Sequence, residues 1–277
     1  MVFTGSMDWM ANVDGVEFFM DAVWPAVSRA RPRARCVIVD RSPPQALVQR
    51  ARARRLNWEF TGFVDDVRPL VQNAHVYVIP LRVGGGTRKG YTLLDSFLRP
   101  GDWALDIGAN VGHYTMRMAE LVGHSGRVIA LEPVPDTFAL LAANARLFAH
   151  ANVSLLNVAA SDRMAVVGID LPRFSDGLAN YYQARLTAEP ADLAVLALPV
   201  DVLAPPVTVK LVKIDVEGHE LPVLQGMRGL LERDHPVLIV ETGAQDTVDL
   251  LHSLGYVTER LPGSSNLLCR QRGSGKV

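Results

Sequence analysis

Acidic side chains stand at or just after successive apolar runs in the second half of this chain. Asp106 lies in the run 103–107, Glu132 follows 127–131, Asp162 comes after 153–157, Asp215 and Glu217 follow 209–214, and Glu241 follows 237–240. Gly108, Asn110 and Gly112 lie between the first two acids. The apolar run, the glycine-containing turn and then Met116, Met118, Leu121 and Val122 at helical spacing predict a strand, a turn and a helix. Such a corner handles nucleotides, because Gly108 and Gly112 let the backbone approach a ligand where a side chain would clash. Asp106 narrows the choice. A carboxylate beside a helix N-terminus repels a pyrophosphate but suits a cofactor with a positive charge and an amino-acid tail. The glycine spacing also falls short of the full G-x-G-x-x-G of a dinucleotide site.

Glu132 lies 24 residues after Gly108, close to the spacing at which one carboxylate accepts hydrogen bonds from both ribose hydroxyls. A single acid ending a strand is ordinary loop solvation. Asp106 and Glu132 together, with two glycines between them, read as a site for a charged nucleoside cofactor, and S-adenosyl-L-methionine is such a ligand. Asp162 either accepts the exocyclic amine of adenine or caps a turn. Asp215, Glu217, His219 and Glu220 crowd one turn at the place where a methyl group would leave that cofactor. His219, with a pKa naturally near working pH, is the first candidate for a general base and Asp215 the second, with Asp215 or Glu217 orienting an acceptor hydroxyl. The plainer reading of His219 is a helix N-terminal residue paired with Glu220 or Asp215. Glu241 either faces the acceptor or caps the sheet. One His among scattered acids is a weak metal-ligand pattern, and no metal is expected.

These residues need a scaffold. From about Tyr91 the order reads strand 103–107, helix 113–122, strand 127–131, helix 136–148 and strand 153–157. A variable stretch follows, with a strand at 166–171 and a loop through 172–195 in which Asp176, Asn180, Tyr181 and Tyr182 are plausible acceptor contacts. Strand 209–214, helix 219–232, strand 237–241 and helix 246–253 come next, then a hairpin of strands at 255–260 and 266–270 turning at 262–265. The alternation predicts an α/β doubly wound sheet whose last strand runs antiparallel. Ligands in such sheets bind at the carboxyl ends of the strands, where the acids stand.

Residues 1–90 have their own βα grammar. Apolar runs at 2–4, 35–39, 58–61 and 75–80 alternate with helical periodicity over 16–27 and 44–54, as in a parallel sheet. This part resembles the C-terminal, nucleotide-sugar-binding half of GT-B glycosyltransferases, through the stretches 3–6, 12–14, 36–40, 61–66 and 80–88. The resemblance implies a partial Rossmann-like segment with Arg88 and Lys89 near a donor diphosphate. The ribose-holding carboxylate and the acceptor domain of that family have no counterpart. Residues 1–90 therefore read as a truncated, inactive fragment, with docking or homodimerisation as its remaining role.

Within a second domain read as 91–277, residues 91 to about 270 closely resemble the FkbM family of S-adenosylmethionine-dependent methyltransferases. The matching stretches are 98–102, 105–115, 126–133, 157–162, 212–220 and 236–241. The resemblance implies a class I methyltransferase fold and methyl transfer to oxygen, usually a hydroxyl of a sugar, glycan or secondary metabolite. It would place Asp106, Gly108, Asn110 and Gly112 along the methionine end of the cofactor, Glu132 at the ribose and Asp162 near adenine. The upstream segment that usually covers the cofactor in this family is replaced here by the glycosyltransferase-like piece. The rival reading is a catalytically inactive fusion that serves as a binding or scaffold subunit in glycan assembly.

Composition narrows the partners. The 277 residues are 49% hydrophobic and 21% charged with a net charge of −1, which gives no reason to expect nucleic acid. The nine arginines between positions 29 and 55, against the single acid Asp40, read as a solvated helix face before an anion-binding patch. Cys36 and Cys269 sit in apolar runs and read as reduced core thiols of a cytoplasmic protein. The N-terminus lacks the pattern of a signal peptide, and no apolar run reaches the roughly 18–20 residues that span a bilayer.

Overall fold

The computed structural model describes residues 1–4, 7, 10–76, 78, 93–147, 151–172, 184–187, 189, 191, 193–203, 205–262 and 264–273. The chain divides into two compact units, Met1–Arg88 and Lys89–Val277.

In the first unit, strands β1 (Val2–Thr4), β2 (Cys36–Val39) and β3 (Trp58–Phe60) form a parallel sheet in that order. The backbones of Val76 and Val78 bond to Val2 on the free edge of β1. Helices α1 (Met10–Phe18) and α2 (Trp24–Ala30) flank a π-helical turn, Phe19–Val23. Pro25 has no N–H to give to the preceding turn, and just before it the Trp24 N–H reaches back five residues to the Phe19 carbonyl. Helices α3 (Gln45–Ala53) and α4 (Arg68–Gln72) complete the unit. Its core gathers Phe3, Met20, Trp24, Cys36, Ile38 and Leu47, with Trp24 and Trp58 packed edge to face at 5.6 Å. Burial pushes the Cys36 thiol up to about 12, so it stays an unreactive core thiol. Arg88 and Lys89, expected near a donor diphosphate, lie outside the described residues.

The second unit begins with α5 (residues 93–97), then β4 (Trp103–Ile107), α6 (His113–Val122), β5 (Arg127–Leu131), α7 (Pro135–Leu147) and β6 (Val153–Leu156). Four strands of a second sheet follow: β7 (Ala159–Ala160), β8 (Ala165–Asp170), β9 (Arg185–Thr187) and β10 (Leu193–Leu198). The chain then returns through β11 (Val209–Ile214), α8 (Glu220–Gln225), α9 (Arg228–Asp234), β12 (Val237–Glu241), α10 (Gln245–Ser253), β13 (Tyr256–Arg260) and β14 (Asn266–Gln271).

The main sheet has the order β13-β14-β12-β11-β4-β5-β6, parallel from β12 to β6, with β14 antiparallel to both neighbours. This is the expected α/β sheet. Strand order reverses between β4 and β11, so the loops after these two strands face one crevice. Beneath it Leu105, Ile107, Val212, Ile214 and Leu238 are sealed from solvent. Cys269, on β14, is buried in the same core.

Two elements differ from the pattern reading. The helix expected over 219–232 is two helices, α8 and α9. A Cβ on Gly226 would lie 1.8 Å from the Ser161 carbonyl oxygen, so close packing on the β7 loop is what occupies this break. The loop expected over 172–195 contains β9 and the start of β10, which pair antiparallel with β8 on its two sides. Asp176, Asn180, Tyr181 and Tyr182 lie outside the described residues. Among those described, no helix is long and apolar enough to cross a membrane.

Candidate active site

The turn after β4 is built around two left-handed glycines, Gly108 (φ +77°) and Gly112 (φ +98°), with Asn110 also left-handed (φ +50°). A Cβ on Gly108 would fall 1.8 Å from the Asp215 carbonyl oxygen, and one on Gly112 would fall 2.7 Å from Leu141. The sequence suggested that both glycines leave room for a ligand. Their space is instead taken by the chain itself: Gly108 lets the ends of β4 and β11 touch, and Gly112 lets α6 settle on α7. The Gly108 backbone still lines the crevice.

Glu132, at the end of β5, closes that turn. Its Oε2 accepts the Asn110 N–H at 2.8 Å and its Oε1 the Val134 N–H at 2.9 Å. Burial pushes its pKa up to about 7, against the pull of those two N–H groups. A carboxylate has about four lone-pair sites, so each oxygen keeps one for a further donor.

One cleft is lined by Gly108, Asn110, Glu132, Val134 and Val158 on the main-sheet side and by Ala160, Ile169 and Leu186 of the second sheet, with Ala184 beside them. A carboxylate with free lone pairs at one end and an apolar slot beyond it fit a nucleoside. A second cleft is lined by Arg185, Gly218, His219, Glu241, Thr242 and Ser265. Leu186, Asp215 and Glu217 border both.

The turn after β11 places the acids at that border. Glu217 has φ +51° and Gly218 φ +98°, and the Gly218 N–H donates to Glu220 Oε1 at 2.9 Å. A non-glycine residue in the left-handed region is uncommon and marks a held conformation. Burial, then Asp215 and Glu241, raise the Glu217 pKa, and Arg185 opposes them. Glu220 is buried and serves its own turn. Glu241, raised by burial and by the Asp215 charge, receives the Ser265 hydroxyl at 2.5 Å.

His219 lines the second cleft, with its Nε2 3.0 Å from Ser161 Oγ, which donates to Asp162 Oδ1 at 3.1 Å. The partner is therefore Ser161 rather than Glu220 or Asp215. Burial lowers the His219 pKa, against the raising pull of Asp162 and Glu220. Asp162 pairs with Arg163 at 3.1 Å and is not among the residues lining either cleft.

Asp106 lies behind the wall, 1% exposed, and accepts the Thr115 hydroxyl at 2.5 Å. Burial raises its pKa, while Lys213 and Thr115 pull it down. Lys213 is the residue the sequence reading passed over. It is 2% exposed and its Nζ donates to Asp215 Oδ2 at 2.8 Å. A lysine inside the apolar strand 209–214 was the available signal, since a buried ammonium must be paired. Arg185 was also missed, and a single arginine in a variable stretch gave no signal.

The sheet order, the reversed last strand and a crevice at the carboxyl ends of β4, β5 and β11 define a methyltransferase-type α/β domain. The FkbM methyltransferase domain matches residues 106–258, more than half of the chain, and the protein belongs to that family. Its cofactor is S-adenosyl-L-methionine. Residues 1–97 match group 1 glycosyl transferases. A protein-L-isoaspartate O-methyltransferase of Triticum aestivum is 31% identical over 77 residues, 28% of this chain and 31% of that protein; the chain thus matches about a third of that curated relative's length. Among solved structures, methyltransferase FkbM from Methylobacillus flagellatus KT is similar over 97% of this chain and 89% of that one, at 13% identity and a TM-score of 0.46. Aeropyrum pernix fibrillarin with bound S-adenosyl-L-methionine is similar over 66% and 74%, at 13% identity and a TM-score of 0.42.

Proposed function

We propose that the protein transfers a methyl group from S-adenosyl-L-methionine to a hydroxyl oxygen of a sugar, glycan or secondary metabolite. The observation that supports this is the shared border of the two clefts, where Asp215 and Glu217 meet both. The cofactor, when bound, supplies an already activated methyl group, so the protein's work is alignment, exclusion of water and removal of one proton. In this reading Glu132 receives the ribose hydroxyls, and Gly108 and Asn110 line the cofactor cleft. Asp106 and Gly112 hold that wall from behind, and Asp162 stands beyond the adenine end. Asp215 accepts the acceptor's proton as its oxygen attacks, because it reaches both clefts; Glu217 and His219 orient the acceptor. Residues 1–90 are read as a domain separate from 91–277 and without a transfer reaction of its own.

The test is incubation of the full chain with methyl-labelled cofactor and a panel of sugars, polyols and extracted glycans. Label on an acceptor oxygen is the expected result. Label on nitrogen, or on no acceptor at all, overturns the reading.

A further inference from the structure

Lys213 occupies an inner position of the main sheet, sealed from solvent, yet carries a charge. Charged or polar groups face it from each neighbouring element. Asp215 Oδ2, just past its own strand, receives the ammonium at 2.8 Å. Asp106 is its register partner on β4, and the Tyr114 ring on α6 lies with its centroid 4.9 Å from Nζ. Glu241, at the end of β12, lines the second cleft with Asp215 and contributes a further negative charge. Burial works to lower the Lys213 pKa, but Asp215, Asp106 and Tyr114 together carry it above the ordinary value, so the ammonium persists.

We infer that Lys213 is the positioning residue of the transfer site: its buried ammonium clamps the Asp215 carboxylate at the border of the two clefts. This rests on the reading of Asp215 as the group that takes the acceptor's proton. Lys213 touches neither cleft; it acts through Asp215.

The test follows the Asp215 carboxyl carbon of the full chain by 13C NMR across pH, assigned by its loss in Asp215→Asn. In Lys213→Met the Asp215 midpoint rises by about 1–3 pH units relative to the unsubstituted protein. Lys213→Arg, which keeps the charge, holds it near the original value. Binding of S-adenosylhomocysteine, measured by calorimetry, persists in Lys213→Met within about tenfold, which separates loss of positioning from loss of fold. If Lys213→Met does not fold, the double variant Asp106→Asn/Lys213→Met removes one buried carboxylate with the cation and carries the same titration. An unchanged Asp215 midpoint in the folded variant overturns the inference. So does an equal shift in Lys213→Arg, because charge would then not be the agent. Failure of the unsubstituted protein to bind S-adenosylhomocysteine contradicts the methyltransferase reading instead, and leaves the titration to decide the role of Lys213.

Discussion

The Glu132 carboxylate reaches from the end of β5 to the turn after β4 and takes the Asn110 N–H at 2.8 Å. That single bond ties the nucleoside-facing acid to the left-handed turn that shapes the cleft. The acid is thereby structural and ligand-facing at once, and its charge state matters to both roles.

Stability should report this charge. The folded pKa of about 7 lies above the ordinary 4.5, so the folded chain holds a proton that the unfolded chain has lost between those values. The stabilisation is therefore complete below about pH 4.5 and is lost as pH rises through 7, amounting to at most about 3 kcal/mol. Urea unfolding of the ligand-free protein at several pH values between about 5 and 8 should show this slope, and Glu132→Gln should flatten it.

Ligand binding should run the opposite way. Ribose hydroxyls donate to the ionised carboxylate, so affinity for S-adenosylhomocysteine should rise as pH increases through 7, with a proton released on binding. Calorimetry in buffers of different ionisation enthalpy measures that proton directly.

Two glycine substitutions should separate close packing from backbone strain. Gly108→Ala meets the Asp215 carbonyl oxygen, whereas a Cβ at Gly218 has nothing within 4 Å. Both residues are left-handed, so each substitution costs roughly 1–2 kcal/mol of backbone strain. Gly108→Ala should cost several kcal/mol more and weaken cofactor binding by shifting the end of β11. Paired denaturation curves decide it; equal losses would show that the close approach is easily relieved.

Asp215 and His219 should differ in kind. Asp215→Asn removes the proposed proton acceptor and should lower kcat by about 10²–10⁴. His219→Gln keeps a hydrogen-bonding side chain beside Ser161 and should retain most of the rate while raising KM for the acceptor. Turnover with whichever acceptor the labelling panel identifies makes the comparison.

Much of this site was legible as residues and little of it as geometry. The bounds 103–107, 113–122, 127–131, 209–214 and 237–241 coincide with observed elements, because apolar runs punctuated by glycine leave few alternatives. Glu132 was found from its place at a strand end. Lys213 is not legible from acids at strand ends, because it lies inside an apolar run, where a buried charge must be paired. The break at Gly226 depends on its approach to Ser161, a contact between residues 65 positions apart that no local pattern encodes. β9 and β10 escaped because three- to six-residue strands with few β-branched residues carry a weak strand signal. The pairing of His219 with Ser161 joins loops after different strands, and only the fold brings them together.

The central claim is that the crevice bordered by Gly108, Glu132 and Asp215 binds S-adenosyl-L-methionine. Titration calorimetry of the full chain with S-adenosyl-L-methionine tests it most directly. The account predicts saturable binding at a single site, weakened in Glu132→Gln. No heat and no thermal protection of the fold by the cofactor would contradict it.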